Sequence, residues 1–172
     1  MRNQPQSPSR PAIALPNVLV MATKPAQSTL QAGQDWLLSC TRNPTAACRA
    51  WAANEFARIA SGEHWRIAEG PLLQSVRTMK RVGSQRLGPV LADTSTDRIW
   101  WLLPPDLSAE LDHVSQLTVH PPGWPLPCPP VLHAIDERMW LERPDGSGRL
   151  TNPAALGVAF GLSGRLPADE PG

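Results

Sequence analysis

The chain has 172 residues, a length that suits one domain with its own core. Its net charge of +1 excludes recruitment of nucleic acid or membranes by a strong overall field, so such contacts must come from a local patch. The three cysteines form no CxxC pair, which argues against a disulfide framework and favours a cytoplasmic location. No apolar run reaches the ~18 residues of a membrane span, and we expect no membrane partner.

The first third of the chain predicts an N-terminal arm followed by two helices. Residues 1–27 hold five prolines among Gln, Ser and Asn, so we expect a disordered arm there. Residues 30–40 and 44–60 carry apolar side chains at helical spacing. Asn43 before Pro44 is typical of a helix start, and Ser61-Gly62 is typical of a helix end. These signals predict an N-terminal helical pair.

The middle of the chain predicts a strand, a helix and a β-hairpin. Residues 65–68 favour a short strand, and Pro71 opens a helix that runs to Val82. The side chains predicted to form its buried face are Leu72, Leu73, Val76 and Met79. Residues 89–92 and 99–103 are almost continuously apolar on either side of a turn-rich loop. This pattern predicts a hairpin at the centre of a sheet, covered on both faces.

The second half predicts shorter elements around a rigid proline-rich connection at residues 121–130. We expect helices over residues 107–117 and 154–160, strands over residues 117–120, 131–134 and 139–142, and a turn over residues 145–148. The whole pattern indicates an α+β fold, with a central, mostly antiparallel sheet flanked by helices. The predicted domain covers residues 28–162, and a frayed tail follows over residues 163–172.

The carboxylates offer an incomplete catalytic set. Two-metal nucleotidyl transfer requires two or three carboxylates that converge at strand ends, and no Asp-x-Asp or Asp-x-Glu pair lies on a predicted strand. Glu69 follows the strand over residues 65–68 alone. Asp93 lies in the hairpin loop four residues before Asp97, a placement typical of turns. Glu69 and Asp93 are therefore weak catalytic candidates, and they need a third carboxylate to hold a divalent metal.

Histidines and cysteines show no metal-site spacing. The four histidines form no HxxxH pair, and none lies beside a cysteine in the sequence. His120, Cys128 and His133 would meet only if the proline-rich connection folded back. We therefore expect no cofactor, and a divalent metal only if the carboxylates form a complete site for it.

A cluster of cations surrounds the end of the helix that Pro71 opens: Arg77, Lys80, Arg81 and Arg86. Arg77 and Arg81 lie one turn apart on one face, and the guanidinium fork matches phosphate geometry. The cluster is therefore a candidate contact for nucleic acid or nucleotide. A simpler explanation stays open, because cations at a helix C-terminus also complement the helix dipole.

Three stretches carry a family resemblance: HWRIAEGP at residues 64–71, LGPVLAD with RIWWLLPP between residues 87 and 105, and PCPP with MWLERP between residues 127 and 144. They resemble small actinobacterial proteins related to the N-terminal domain of bifunctional DNA primase/polymerases, in the archaeo-eukaryotic primase superfamily. Residues 36–51 fit more loosely. The resemblance covers roughly residues 36–156.

The resemblance implies a role in DNA replication or mobile-element maintenance. In that family a metal-binding Asp-x-Asp/Glu pair ends the first strand, where this chain has only Glu69. A nucleotide-contacting histidine begins the second hairpin strand, where this chain has Arg98, which could contact a triphosphate. We therefore expect a catalytically degenerate primase/polymerase-like domain that binds nucleic acid or nucleotide. The alternatives are a protein-interaction or regulatory module without nucleic-acid binding, and a working metal-dependent nucleotidyltransferase.

Overall fold

The computed structural model describes residues 24–163, which form an α+β domain as predicted. Its elements in chain order are α1 (Lys24–Ser39), α2 (Pro44–Ala52), β1 (Ala57–Ala60), β2 (Arg66–Pro71), α3 (Leu72–Val82), β3 (Val90–Asp93), β4 (Arg98–Leu103), β5 (Thr118–Val119), β6 (Pro125–Cys128), β7 (Arg138–Glu142) and α4 (Pro153–Ser163). None of these helices is long and apolar enough to cross a membrane. The predicted arm and tail lie mostly outside the described residues; α1 already begins at Lys24 and α4 extends to Ser163.

The main sheet has five antiparallel strands in the order β5-β2-β4-β3-β7. The predicted hairpin is confirmed as β3 and β4, and β4 occupies the centre. It pairs with β2 from Arg66↔Leu103 to Pro71↔Arg98. Because neighbouring side chains of a strand point to opposite faces, Trp100 and Trp101 serve two different cores.

Each face of the sheet carries its own hydrophobic core, so the prediction of a hairpin covered on both sides is confirmed. On one face, Trp100 and Leu91 pack with α1, α2 and the β1–β6 pair. On the other face, Trp101 packs with α4 and the segment between β4 and β5. Trp101 meets the Phe160 ring edge-to-face, with 6.1 Å between centroids. Burial of each large side chain contributes about 1.5–3 kcal/mol to the free energy of unfolding.

The helix predicted over residues 44–60 was wrong in its second half. The cap is confirmed, because Asn43 Oδ1 accepts the Ala46 N–H at 3.0 Å. α2 nevertheless ends at Ala52, and Asn54 adopts a left-handed conformation with φ 58° that a helix cannot continue. β1 follows, and its residues are alternately buried and exposed. Four alternating residues are too few to distinguish a strand from a helix, because the apolar residues of this stretch also fit helical spacing.

The proline-rich connection was also misassigned, because it contains β6, which pairs with β1. Ile59 lies opposite Leu126, and the Ser61 N–H donates to the Trp124 carbonyl at 2.9 Å. In this register Pro125 and Pro127 occupy positions whose nitrogens face away from β1, so neither proline breaks the ladder. The strand predicted over residues 131–134 was wrong, since that segment is a series of bends.

The helix predicted over residues 107–117 is not formed, although the apolar side chains of this segment are buried. Leu107, Leu111, Val114 and Leu117 are all buried, as a helical spacing would require. The backbone instead forms successive turns with bonds three residues apart, such as Val114 N–H to the Leu111 carbonyl at 2.9 Å. Ser108, whose N–H donates to the Glu110 carboxylate at 2.8 Å, stabilises a local turn rather than a helix.

The face of α3 that packs on the sheet matches the predicted one only in part, because Leu72 and Met79 pack against the second core whereas Leu73 and Val76 do not. Leu73 is 63% exposed and Val76 is 37% exposed, whereas Ser75, Thr78 and Val82 are buried. Gly70 contributes to this choice, because a Cβ there would lie 2.8 Å from Leu117 Cδ2 and 3.2 Å from the Ser75 hydroxyl. A small side chain opposite a glycine lets α3 approach β2 closely, and this close packing leaves the larger Leu73 outside.

Candidate functional site

Glu69 lies near the end of β2, between β4 and β5, and its carboxylate is surrounded by hydrogen-bond donors. Its Oε1 lies 3.2 Å from Nη1 of Arg98. Its Oε2 lies 2.7 Å from Nε2 of His120 and accepts the Trp100 indole N–H at 3.1 Å. The Glu69 side chain is only 17% exposed. Both oxygens are therefore committed to partners within the protein.

His120 is held on three sides. Its ring stacks on the Trp124 indole, with 4.0 Å between centroids and 14° between planes. The backbone N–H of His120 donates to the Ile67 carbonyl at 2.9 Å, and this bond fixes the backbone of His120 beside β2. Its own carbonyl accepts a hydrogen bond from Arg66 Nη2 at 3.1 Å. The ring is therefore positioned so that Nε2 faces Glu69, and this nitrogen acts as a donor when it carries a proton.

Asp93 serves a second, separate cluster at the end of β3. Its Oδ2 accepts from Nε of Arg138 at 3.1 Å and from Nη2 at 2.9 Å, a two-point pair. Its Oδ1 accepts the N–H groups of Ser95 at 3.0 Å and Thr96 at 3.3 Å. Burial raises the pKa of Asp93, but bonds from Ser95 and Arg138, together with the Arg138 charge, hold that pKa below its usual value. The predicted turn function of Asp93 is confirmed.

Trp100 connects the two clusters. Its N–H points to Glu69, while the guanidinium of Arg138 lies 4.6 Å from the centre of its ring. Arg138 also lies over the Phe56 ring and donates from Nη1 to the Pro127 carbonyl at 2.9 Å. A cation between two aromatic rings is well stabilised when it is shielded from water. The two carboxylates thus share one face of the sheet, but each is neutralised by its own cations.

The histidines and cysteines were also considered as metal ligands. Within residues 24–163 no group of three His, Cys, Asp or Glu side chains is arranged to hold a metal ion. His120 bonds Glu69, whereas the buried Cys128 thiol donates to the Leu126 carbonyl at 3.4 Å. Burial raises the pKa of Cys128 far above its usual value, so this sulfur stays protonated.

The predicted phosphate-binding residues lie on two different faces of the molecule. Arg77, Lys80, Arg81 and Arg86 are all exposed on or just after α3, on the side of the sheet opposite Glu69. Arg98 instead belongs to the Glu69 cluster, where its side chain is 54% exposed. The structure therefore brings Glu69, Arg98 and His120 together and leaves the α3 cations as a separate basic face.

Sequence reasoning missed three members of the Glu69 and Asp93 clusters: Trp100, Trp124 and Arg138. One signal was available for Trp124, since it follows His120 by four residues within the proline-rich connection. No local signal pointed to Arg138, which lies 45 residues from Asp93 in the sequence. Only the pairing of β3 with β7 brings these two residues together.

No protein-family model, curated protein or solved structure matches this chain. The resemblance to primase/polymerase domains therefore stays a prediction, and the functional argument depends on the geometry of these residues.

Proposed function

We propose that this chain is a non-catalytic, primase/polymerase-like domain that binds nucleic acid or nucleotide phosphates through the basic face of α3. The observation that carries the proposal is the charge of this face. Residues 70–92 contain four cations, Arg77, Lys80, Arg81 and Arg86, and no acidic residue. All four side chains are exposed. A local patch of this kind can bind phosphates although the net charge of the chain is only +1.

The pairing of Glu69 and Asp93 with neighbouring cations supports a non-catalytic domain. A divalent ion at Glu69 would have to displace Arg98 and His120, and one at Asp93 would have to displace a two-point pair with Arg138. A cation in direct contact neutralises a carboxylate and occupies the lone pairs that a metal needs. Titration of the chain with Mn²⁺, followed by calorimetry, tests this point, and heat of binding at one stoichiometric site would argue for an enzyme instead.

Salt dependence gives the sharpest test of the basic face. If four cations contact phosphates of a DNA duplex, the affinity should fall about a hundredfold between 50 and 200 mM salt. Removal of two of these contacts should leave a fall of only about tenfold over the same range. The slope, rather than the affinity at one salt concentration, therefore counts the phosphate contacts.

The experiment compares two double variants by fluorescence anisotropy with labelled single-stranded and duplex oligonucleotides. Arg77→Gln with Lys80→Gln removes two cations of the basic face. Arg49→Gln with Arg58→Gln is the matched control, since both arginines are exposed and lie on the α2 and β1 side. We expect weaker binding and a shallower salt slope only in the first variant. Binding that is absent, or equal in the two variants, would remove the proposal.

The protein-interaction alternative has a different kind of support. An apolar surface around the tryptophans would have favoured it, but Trp100 and Trp101 are buried and Trp124 is partly buried. The most exposed large aliphatic side chains, Leu73, Val158 and Leu162, belong to α3 and α4. The exposed apolar side chains that a partner could contact therefore lie on α3 and α4 rather than at the tryptophans.

A further inference from the structure

The β1 strand has one edge that no described residue pairs with. β6 occupies its other edge, in the register that sets Arg58 opposite Pro127 and Ala60 opposite Pro125. Because proline has no N–H, neither of these pairs can exchange two hydrogen bonds, and the ladder bonds of β1 come from the alternate residues. The backbone N–H and C=O groups of Arg58 and Ala60 therefore point away from β6.

These outward groups have no partner in the described part of the chain. Between residues 24 and 163, no backbone or side-chain group bonds the N–H or C=O of Arg58 or Ala60. Both residues are exposed, and they lie two positions apart, about 7 Å along the strand. Two donors and two acceptors at this spacing match the backbone of an extended peptide, which can add to a sheet edge as a further strand.

A pocket lies beside this edge, between α2 and the start of β1. Three alanines of α2 form its apolar walls together with Phe56 and Ala57, whereas Thr41, Asn43 and Arg58 add polar groups. The alanine side chains are too small to fill the space between the helix and the strand. The pocket volume of about 180 Å³ suits one branched aliphatic side chain, since a cavity of about 150 Å³ holds benzene. No described residue of β6 lines the pocket, so it opens beside the outer edge of β1.

Arg58 determines the charge that a ligand of this edge should carry. It is the one charged residue among the described residues that line the pocket, and it forms no ion pair with any residue between 24 and 163. Its exposed side chain lies on the face of β1 opposite to that of the buried Ala57. In an added antiparallel strand, the residue that bonds Arg58 lies on the same face as the Arg58 side chain, and the next residue points to the other face. An acidic residue followed by an aliphatic one fits both positions.

We propose that the outer edge of β1 binds an extended segment of a partner protein, with an acidic side chain beside Arg58 and an aliphatic side chain of valine size in the pocket. The backbone of this segment bonds Arg58 and Ala60 and extends the β1–β6 pair to three strands. A nucleic acid has no alternating backbone N–H and C=O groups, so the observations favour a peptide. This binding goes beyond the phosphate-binding role of α3 and does not depend on it.

The probe is a short acetylated peptide of alternating valine and glutamate, titrated into the isotopically labelled full chain and followed by NMR. We expect the amide signals of Arg58 and Ala60 to shift. Their hydrogen exchange, which should be fast in the free protein, should slow in the complex. The same peptide with N-methylated glutamates should not bind, because its glutamate nitrogens can no longer donate to the β1 carbonyls.

Two pairs of variants separate the backbone contacts from the pocket. Ala60→Pro removes one outward N–H and leaves the β1–β6 bonds in place, so it should weaken peptide binding about fivefold or more. Ala60→Val keeps this N–H and is the matched control. Ala46→Leu fills the pocket from an exposed position of α2 and should abolish binding, whereas Ala52→Leu, exposed on α2 outside the pocket, should not. Because Ala46→Leu leaves β1 unchanged, it keeps the test decisive if Ala60→Pro does not fold.

The charge of Arg58 is tested separately. Arg58→Gln should weaken binding of the peptide about threefold, as expected for an ion pair at an exposed position. Arg77→Gln with Lys80→Gln, on the basic face of α3, should leave peptide binding unchanged. Loss of oligonucleotide binding in that double variant, with peptide binding intact, would show that the two sites are separate.

Four results would overturn the proposal. The first is no binding of the peptide up to millimolar concentration, and the second is equal binding by Ala60→Pro, Ala46→Leu and their controls. The third is protection of the Arg58 and Ala60 amides in the free protein that increases with protein concentration, since a second copy would then occupy the edge. The fourth is a labelled oligonucleotide that shifts the same amides at lower concentration than the peptide, which would assign the edge to phosphates.

Discussion

Replacement of Glu69 by glutamine tests whether the cluster around this carboxylate stabilises the fold. The substitution keeps the size and one oxygen acceptor of the side chain but removes its charge. His120 and Arg98 then lose their anionic partner, and the amide nitrogen faces one of these two donors. The cluster contains no other carboxylate that could take over.

The expected loss follows from the burial of the three side chains. Glu69 and His120 are 17% and 16% exposed, so their contact at 2.7 Å is largely shielded from water. A hydrogen bond to a charged group, here the Glu69 carboxylate, contributes about 1.5–3 kcal/mol in such a place. The pair with Arg98, whose side chain is 54% exposed, adds well under 1 kcal/mol because solvent screens it. We therefore expect Glu69→Gln to lower the free energy of unfolding by about 2–3 kcal/mol.

Urea unfolding followed by tryptophan fluorescence measures this loss, and thermal unfolding should show a fall in Tm of about 5–10 °C for a domain of this size. Glu55→Gln is the matched control, since Glu55 is exposed and forms no ion pair among residues 24–163. A double-mutant cycle with His120→Gln isolates the contact between the two side chains. A change within about 0.5 kcal/mol of the control would refute the reasoning and show that the cluster forms without stabilising the fold.

Three further predictions concern other parts of the fold. The lowered pKa of Asp93 means that its ion pair stabilises the protein at neutral pH and is lost as pH falls below roughly 4. Asp93→Asn should therefore cost about 3 kcal/mol at pH 7, and calorimetry should show this deficit shrinking towards pH 2. Gly33→Ala should destabilise the protein and loosen α1, because the new Cβ would clash with the Pro144 carbonyl oxygen. Gly161→Ala is the matched control: its new Cβ meets nothing within 4 Å, and it should stabilise α4 by about 0.5–1 kcal/mol in urea unfolding. Only Cys48 should react quickly with a thiol reagent in the folded protein, since the other two cysteines are buried, and fast reaction of more than one thiol per chain would contradict this packing.

Local signals in the sequence were sufficient for the centre of the fold. The hairpin of β3 and β4 could be predicted because two apolar runs flank a turn that Asp93 stabilises. Both asparagine caps were predictable for the same reason, since Asn43 and Asn152 each bond a backbone N–H three residues later. Such features depend on a few consecutive residues and little on the rest of the chain.

Elements that depend on distant partners were not predictable. β1 and β6 are four residues each and are stabilised by one another across 65 or more positions of sequence. The packing of α3 was misjudged because apolar residues were expected to be buried, while close approach to Gly70 favoured the smaller Ser75. The turns over residues 107–117 show that a helical spacing of buried leucines does not require a helix.

The candidate site also contains residues that the local sequence could predict and residues that it could not. Glu69, Asp93 and Arg98 were identified from the sequence, but Trp100, Trp124 and Arg138 were not. Trp100 was considered only as part of an apolar strand or an apolar surface patch, yet its N–H bonds Glu69 while its ring contacts Arg138. Such a dual contact follows from strand register, which places Glu69 opposite Trp100 and Asp93 opposite Arg138. The acid-free character of residues 70–92, in contrast, can be read from the sequence alone.

The placement of Pro125 and Pro127 in β6 has a consequence for the behaviour of the protein at high concentration. The outer rim of a two-stranded sheet normally offers amide hydrogens to any extended chain that approaches it, and this is a common route to aggregation. Here both outward nitrogens belong to proline and carry no hydrogen. A foreign strand would gain no hydrogen bond from these two positions, so β6 is a poor template for intermolecular sheet growth.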